Sequence, residues 1–133
     1  MDFSKVETYI QNWLLNYLDS STLKGFVVGV SGGIDSAVTS TLCAKTTKKT
    51  LVINMPILQN AQQFDRSLEH INWLEKKFEN VRGIEVDLTP VFDAYRTTLP
   101  NQFQDDLSLA NLRSRIRMAT LFQFASNQKL LVA

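Results

Sequence analysis

Apolar positions along this chain fall first at a helical spacing and then in short runs separated by further helical stretches. Phe3, Val6, Ile10, Trp13, Leu14, Tyr17 and Leu18 form one stripe and predict a helix over residues 3–18, ended by Asp19-Ser20-Ser21. The stripe has two readings: a face packed on a sheet, or an aromatic surface that partly meets another subunit. Gly25 opens Phe26-Val27-Val28, an apolar β-branched run that reads as a buried strand. Residues 37–44 can continue as a helix, 46–49 form a polar turn, and Thr50 to Met55 is a second strand that Pro56 stops. Ala61 to Phe78 predicts a helix with Phe64, Leu68, Ile71, Leu74 and Phe78 on one side. Gly83 to Leu88 reads as a third strand. Thr89-Pro90 is helix-start chemistry, so Asp87 reads as part of a cap, and Val91 to Tyr95 as a short helix.

Residues 99–104 carry the least pattern and predict a mobile loop. A long helix follows from about Asp106 to Ser126, with Asp105-Asp106 suited to its N-terminus. Lys129 to Ala133 looks like a strand just begun, which predicts a truncated chain: one domain over residues 1–133, incomplete at its C-terminal end. Strands alternating with helices define an α/β doubly wound fold on a parallel sheet, and the helices on its two faces make three layers.

Composition narrows this only slightly. A length of 133 residues suits one domain with a modest core, and a net charge of +1 gives no broad attraction toward nucleic acid or membrane. No apolar run approaches the ~20 residues of a membrane span, and Met1-Asp2-Phe3-Ser4-Lys5 lacks a signal-peptide layout, so the cytoplasm is the expected compartment. Cys43 is alone, which excludes an internal disulfide framework. His70, the single histidine, has no candidate ligands converging on it and reads as a surface residue.

Candidate chemistry centres on Gly29-Val30-Ser31-Gly32-Gly33-Ile34-Asp35-Ser36, between the first strand and the second helix. Such a turn gathers backbone N–H groups at a helix N-terminus, where phosphate binds. Gly32 and Gly33 let the chain turn tightly beside an anion, and Ser31 and Ser36 add hydroxyls. Asp35 would be repelled by phosphate unless a cation lay between them, which points to Mg²⁺. No Lys precedes the Ser of the loop as a Walker motif requires, and no third Gly completes a dinucleotide fingerprint. The bland reading is a Gly-Ser turn capping an ordinary helix. Met55, at the next strand end, shares the ligand rim of such a sheet. It could cover or contact an adenine ring, although chemistry alone favours a buried core Met.

A second constellation lies on the long helix, Ala110-Asn111-Leu112-Arg113-Ser114-Arg115-Ile116-Arg117-Met118. Arg113 and Arg117 point together, and Arg115 almost oppositely. A buried stripe of Leu112, Ile116 and Ala119 would put Arg115 on its flank, half-buried, with Asn111 and Ser108 one and two turns before it. An Arg so placed needs an anionic partner, either a carboxylate of the fold or a ligand group.

Ser-Gly-Gly-x-Asp-Ser after a strand resembles the pyrophosphate loop of the N-type ATP pyrophosphatases, the adenine nucleotide alpha hydrolase-like group of Rossmann-like folds. Together with Asn-x-x-Ser-Arg-x-Arg-Met it is similar to the ammonia-dependent NAD synthetases. That resemblance implies ATP bound by Gly29 and residues 30–36, with Ser31, Asp35 and Ser36 as catalytic positions and Asp35 as the Mg²⁺ ligand. It places Met55 near adenine, and Asn111 and Arg115 on deamido-NAD. It further implies ammonia as co-substrate, a homodimer, and a metal site completed by a Gly-Thr turn and a Glu beyond Ala133. The alternatives are another adenylating ATP pyrophosphatase, GMP synthetase-like or tRNA-modifying, and a non-catalytic nucleotide-binding fragment. Cys43 lies inside a predicted helix far from the single His, so no glutaminase site is expected.

Overall fold

The computed structural model describes residues 1–133. In chain order the elements are α1 (Phe3–Asp19), β1 (Gly25–Val30), α2 (Ile34–Lys45), β2 (Lys49–Asn54), α3 (Ala61–Lys77), β3 (Val81–Glu85), α4 (Thr89–Thr98), α5 (Asp106–Gln128) and β4 (Leu130–Val132). The strands are all parallel, in the order β3-β2-β1-β4. Alternation along the strands assigns each face of the sheet its own helices. Phe26 and Val28 pack with Leu18 and Cys43 of α1 and α2, while Val30 and Val52 pack with Ala44, Ile71, Leu74 and Val81. On the other face Val27, Leu51, Ile53 and Met55 meet Leu88, Phe92, Ile116, Leu121 and Ala125, from α4, α5 and the segment before α4. The result is the expected three-layer, doubly wound α/β architecture.

β1 lies between β2 and β4, and its first residue has neighbours on both sides. Gly25 pairs with Lys49 and with Leu130, and a Cβ there would sit 2.0 Å from the Lys49 carbonyl oxygen. The strand therefore enters the sheet at a residue without a side chain.

Several expected boundaries move. β3 occupies Val81–Glu85 rather than residues 83–88, because Val81 is the buried residue that anchors it. Beyond it the chain still follows β2, through Val86 N–H to the Asn54 carbonyl (2.8 Å) and Leu88 N–H to the Pro56 carbonyl (2.9 Å). The helix expected over residues 91–95 extends to Thr98, starting at Thr89-Pro90, with Asp87 Oδ1 accepting from Thr89 N–H at 2.9 Å. Residues 99–104 contain a 3₁₀ turn at Asn101–Phe103, and the Gln104 carboxamide donates to the Arg96 and Leu99 carbonyls, each at 2.9 Å. The stripe of α1 buries only Leu18; Phe3, Val6, Trp13 and Tyr17 are exposed, and the rings of Trp13 and Tyr17 stack with centroids 5.4 Å apart.

Leu74 is fully buried between α3 and the sheet. Leu74→Ala should cost about 2–5 kcal/mol, whereas Val91→Ala, on an exposed face of α4, should stay within about 0.5 kcal/mol. Urea unfolding of the two variants would read the difference.

Candidate functional site

The sheet reverses its winding at β1. The chain builds β2 and β3 on one side, then returns through α4 and α5 to place β4 on the other. In such sheets the crevice outside the carboxyl ends of the strands at the reversal point binds ligands. A cavity of about 700 Å³ lies there, lined in part by Gly29 to Gly33, Met55, residues 57–60, Arg113, Arg117 and Ala133.

The loop after β1 is held by its own serines. Ser31 N–H donates to Ser36 Oγ at 3.1 Å, Ser36 Oγ donates to the Gly33 carbonyl at 3.2 Å, and the two serine oxygens lie 3.2 Å apart. Gly33 precedes α2 as its cap residue and supplies no side chain, so the N–H groups of Ile34, Asp35 and Ser36 open the helix without a side-chain cap. That is the donor array an anion requires. Gly32 has φ +84°, and a Cβ there would stand 2.7 Å from the Gln63 carbonyl oxygen and 3.3 Å from Ser67 Oγ. Two independent constraints thus demand glycine. Gln59 bridges over the loop, its carboxamide donating to the Ser31 carbonyl at 3.3 Å. Asp35 is exposed in the first turn of α2 and makes no ion pair. Ile34 is exposed beside it, while Val30 is buried in the core on the α2–α3 face.

The opposite wall is cationic. Arg117 is half-buried and its Nε donates to the Met55 carbonyl at 3.0 Å. Burial, and secondarily the charge of Arg113, hold its pKa below the ordinary arginine value. Arg113 lies over the Phe92 ring at 5.3 Å. Neither arginine has a carboxylate partner: the two ion pairs of the fold are Lys45–Glu7 and Arg96–Asp93. Met55 is buried, and its methyl packs over Gly29, where a Cβ would approach it to 2.9 Å.

Here the structure departs from the expected arginine geometry. Arg115 and Asn111 are exposed and do not line the cavity, and Ala119 is exposed as well. The buried face of α5 runs through Leu112, Ile116, Leu121 and Ala125, which turns Arg113 and Arg117 inward and Arg115 outward. Ser108 is committed elsewhere: its Oγ accepts from Asp105 N–H at 3.0 Å while Asp105 Oδ1 accepts from Ser108 N–H at 2.8 Å, a reciprocal cap on α5. His70 is not a free surface residue, since its Nε2 lies 2.9 Å from Ser40 Oγ. Cys43 is fully buried with its thiol pushed up to about 12 by desolvation, which leaves no thiolate for nucleophilic chemistry. Sequence reasoning did not anticipate Gln59, Asn60, Gln63 and Arg66, which line the cavity from the start of α3 and the residues before it. The polar run Gln59-Asn60 was the available signal.

A doubly wound sheet with an uncapped glycine-serine loop at its reversal point, facing unpaired arginines, defines an α/β domain with an electropositive crevice at the carboxyl ends of its strands. Comparison with known proteins makes the assignment narrower: residues 6–133 match the family model described as NAD synthase, and the chain belongs to that family. It is 32% identical to an NH(3)-dependent NAD(+) synthetase of Pyrobaculum aerophilum over 99% of this chain and 49% of the relative. It is 33% identical to that of Finegoldia magna over 99% of this chain and 53% of the relative. Among solved structures, an NMN synthetase from Francisella tularensis superposes with a TM-score of 0.90 at 27% identity, over 99% of this chain and 53% of that one. An NH3-dependent NAD synthetase from Campylobacter jejuni in complex with nitrate gives 0.88 at 28%, covering 99% and 56%. The chain spans about half the length of the curated relatives it matches.

Gly32→Ala meets both the positive φ and the contact with Gln63, so it should reorganise the loop rather than fill space. The expected result is a folded protein with altered amide signals from Ser31 to Ser36 in a ¹H–¹⁵N spectrum. An unchanged loop in that spectrum would show that the backbone accommodates a side chain at this turn.

Proposed function

We propose that this chain supplies the ATP-binding part of an NAD synthetase, which amidates deamido-NAD with ammonia at the expense of ATP. The observation that carries the reading is the pairing of an uncapped phosphate loop with two cavity-lining arginines that have no acidic partner, in a chain of this family. The reaction has two displacements. A carboxylate oxygen of the nicotinate attacks the α-phosphorus of ATP and pyrophosphate leaves. Ammonia then attacks the acyl carbon of the adenylate, AMP leaves with the bonding pair, and a proton is lost from nitrogen to give the amide.

Both steps separate or relocate negative charge, and the residues present suit that demand. The N–H groups at the start of α2, with Ser31 and Ser36, would hold the departing pyrophosphate. Arg113 and Arg117, both free of any carboxylate, would neutralise phosphate oxygens from the other wall through their planar guanidinium groups, Arg117 with the N–H groups that its Nε contact to Met55 leaves over. Met55, buried between Gly29 and the Arg117 contact, fits a wall beneath adenine. Asp35 fits Mg²⁺ as a single hard oxygen ligand, since that ion commonly takes one or two carboxylates and completes its shell with phosphate and water. Bound there, the ion would screen the leaving pyrophosphate. No cluster of three His, Cys, Asp or Glu side chains is present to make a metal cage, so Asp35 would share the ion with the nucleotide.

Asn111 and Arg115 need a different setting. With Leu107, Met118 and Phe122 they form one exposed stripe along the outer face of α5, at spacings of four, four, three and four residues. A second copy of the chain docked on this face would bury the apolar residues and bring Asn111 and Arg115 to a shared pocket for deamido-NAD. The exposed aromatic face of α1 is a further apolar surface, on the opposite side of the sheet. No helix is long and apolar enough to cross a membrane, and a cytoplasmic homodimer is the assembly proposed. The likeness to an NMN synthetase favours one second reading, amidation of a mononucleotide in place of the dinucleotide. Varying the two acceptors in one assay separates them.

In the full-length protein, Asp35→Asn should lower turnover by about 10²–10³-fold with the fold intact. Arg117→Ala should weaken ATP and leave deamido-NAD affinity nearly unchanged, and Arg115→Ala should do the reverse. Steady-state kinetics with each substrate varied would reveal a misassignment as the opposite pattern. For assembly, Phe122→Glu should convert a dimer to a monomer in light scattering; a wild-type monomer at micromolar concentration would remove the shared-pocket proposal.

A further inference from the structure

Four features outside the nucleotide cavity attract attention. They are the shallow groove at Trp73, the exposed aromatics of α1, the fully buried Asn54 whose carboxamide has no partner, and His70. Of these, His70 is joined to the phosphate loop by a continuous set of hydrogen-bond contacts. Its Nε2 lies 2.9 Å from Ser40 Oγ, and Ser40 Oγ lies 2.7 Å from the Ser36 carbonyl and 3.1 Å from that of Ala37. Ser36 in turn closes the loop through Ser31 N–H and the Gly33 carbonyl. Ser40 has one hydroxyl proton, and the shorter contact assigns it to Ser36. The Ser40 oxygen is then an acceptor, and the ring must donate through Nε2–H.

We infer that His70 is a positioning residue for the phosphate loop: it docks α3 onto Ser40 in the second turn of α2, whose hydroxyl reaches back to the first-turn carbonyls of Ser36 and Ala37, and so fixes the direction in which the α2 N–H groups point. This rests on the reading of that loop as a phosphate site. α3 then holds the loop at two places, since the Gln63–Ser67 turn also closes against Gly32. The same helix presents Gln63 and Arg66 to the cavity, so its placement and that of the loop are coupled.

The ring is held mainly neutral. Partial burial lowers its pKa from the ordinary 6.5, and the Ala37 carbonyl opposes that shift more weakly. The charged groups facing it are Glu7 of α1 and Lys45 of α2, which pair with each other; Trp73 of its own helix stacks on the ring at 5.7 Å and carries Lys77 on its face. Lys45 keeps the Glu7 carboxylate below its usual range, so Glu7 stays ionised while His70 titrates. Both ring forms retain Nε2–H, so protonation reports on the contact without breaking it.

The test is a ¹H–¹⁵N pH titration of the whole chain, followed by ATP binding measured calorimetrically with Mg²⁺. The amides of Gly33, Ser36 and Ala37 should shift together with a midpoint below 6.5, and His70→Gln should abolish that titration while keeping the loop signals in place. His70→Ala should displace those signals and weaken ATP about two- to tenfold, with His70→Gln restoring affinity. Ser40→Ala should reproduce His70→Ala, which serves if the latter does not fold. Loop amides that ignore both the titration and the substitutions in a folded protein would overturn the inference. If the loop follows His70 but the wild type binds no ATP, the positioning contact stands and the nucleotide reading falls.

Discussion

An α-helix that begins without a side-chain cap leaves N–H groups and a partial positive charge seeking an anion. α2 begins in that way at Gly33, and much of the structure serves to keep that end open yet rigid. Gly32 removes the Cβ that would collide with α3, and Ser36 satisfies the loop's own donors without covering the helix end. β1, held on both sides by parallel neighbours, delivers the loop to the one place where the sheet leaves a crevice. Arg113 and Arg117 raise the positive potential there further, and the charge of Arg113 adds to burial in disfavouring the charged Arg117.

The fold was largely legible because its signals are local. Strands built from Phe26-Val27-Val28 and Leu51-Val52-Ile53 read as buried on both faces, and they are. The turn between β1 and α2 was legible as a turn because Gly32 and Gly33 lie between an apolar run and a helical one, and Gly32 takes the positive φ that glycine permits. The errors came where a residue's setting depends on distant partners. His70 reads as a surface residue until α2 brings Ser40 to it. Val81 begins β3 because it fills a pocket beside Leu74 and Ile71, which no local pattern declares. Residues 99–104 lack periodicity but gain order from the Gln104 carboxamide, a contact set by the end of α4.

The arginines are the instructive case. Apolar residues three and four apart are both compatible with a helix, so Ile116 can be extended to Ala119 or toward Thr120 and Leu121. The structure takes the second course, because Leu121 and Ala125 reach the β1–β4 side of the core. That small choice of phase decides which arginines face the cavity. Sequence alone identified three cations on one helix, and packing determined which two face inward.

Residues two apart on a helix point about 200° apart, so Arg113 and Arg117 cannot share a ligand face with Arg115. The alternate spacing therefore gives α5 two cationic sides. The inner side is fixed by Phe92 beneath Arg113 and by the Met55 carbonyl on Arg117, which leaves both guanidinium groups ordered before any ligand arrives. The outer side has no such support: Arg115 stands among Leu107, Met118 and Phe122 with no carboxylate to hold it. The inner cations are thus held by contacts within the fold, whereas the outer one has none, although one rigid helix carries all three.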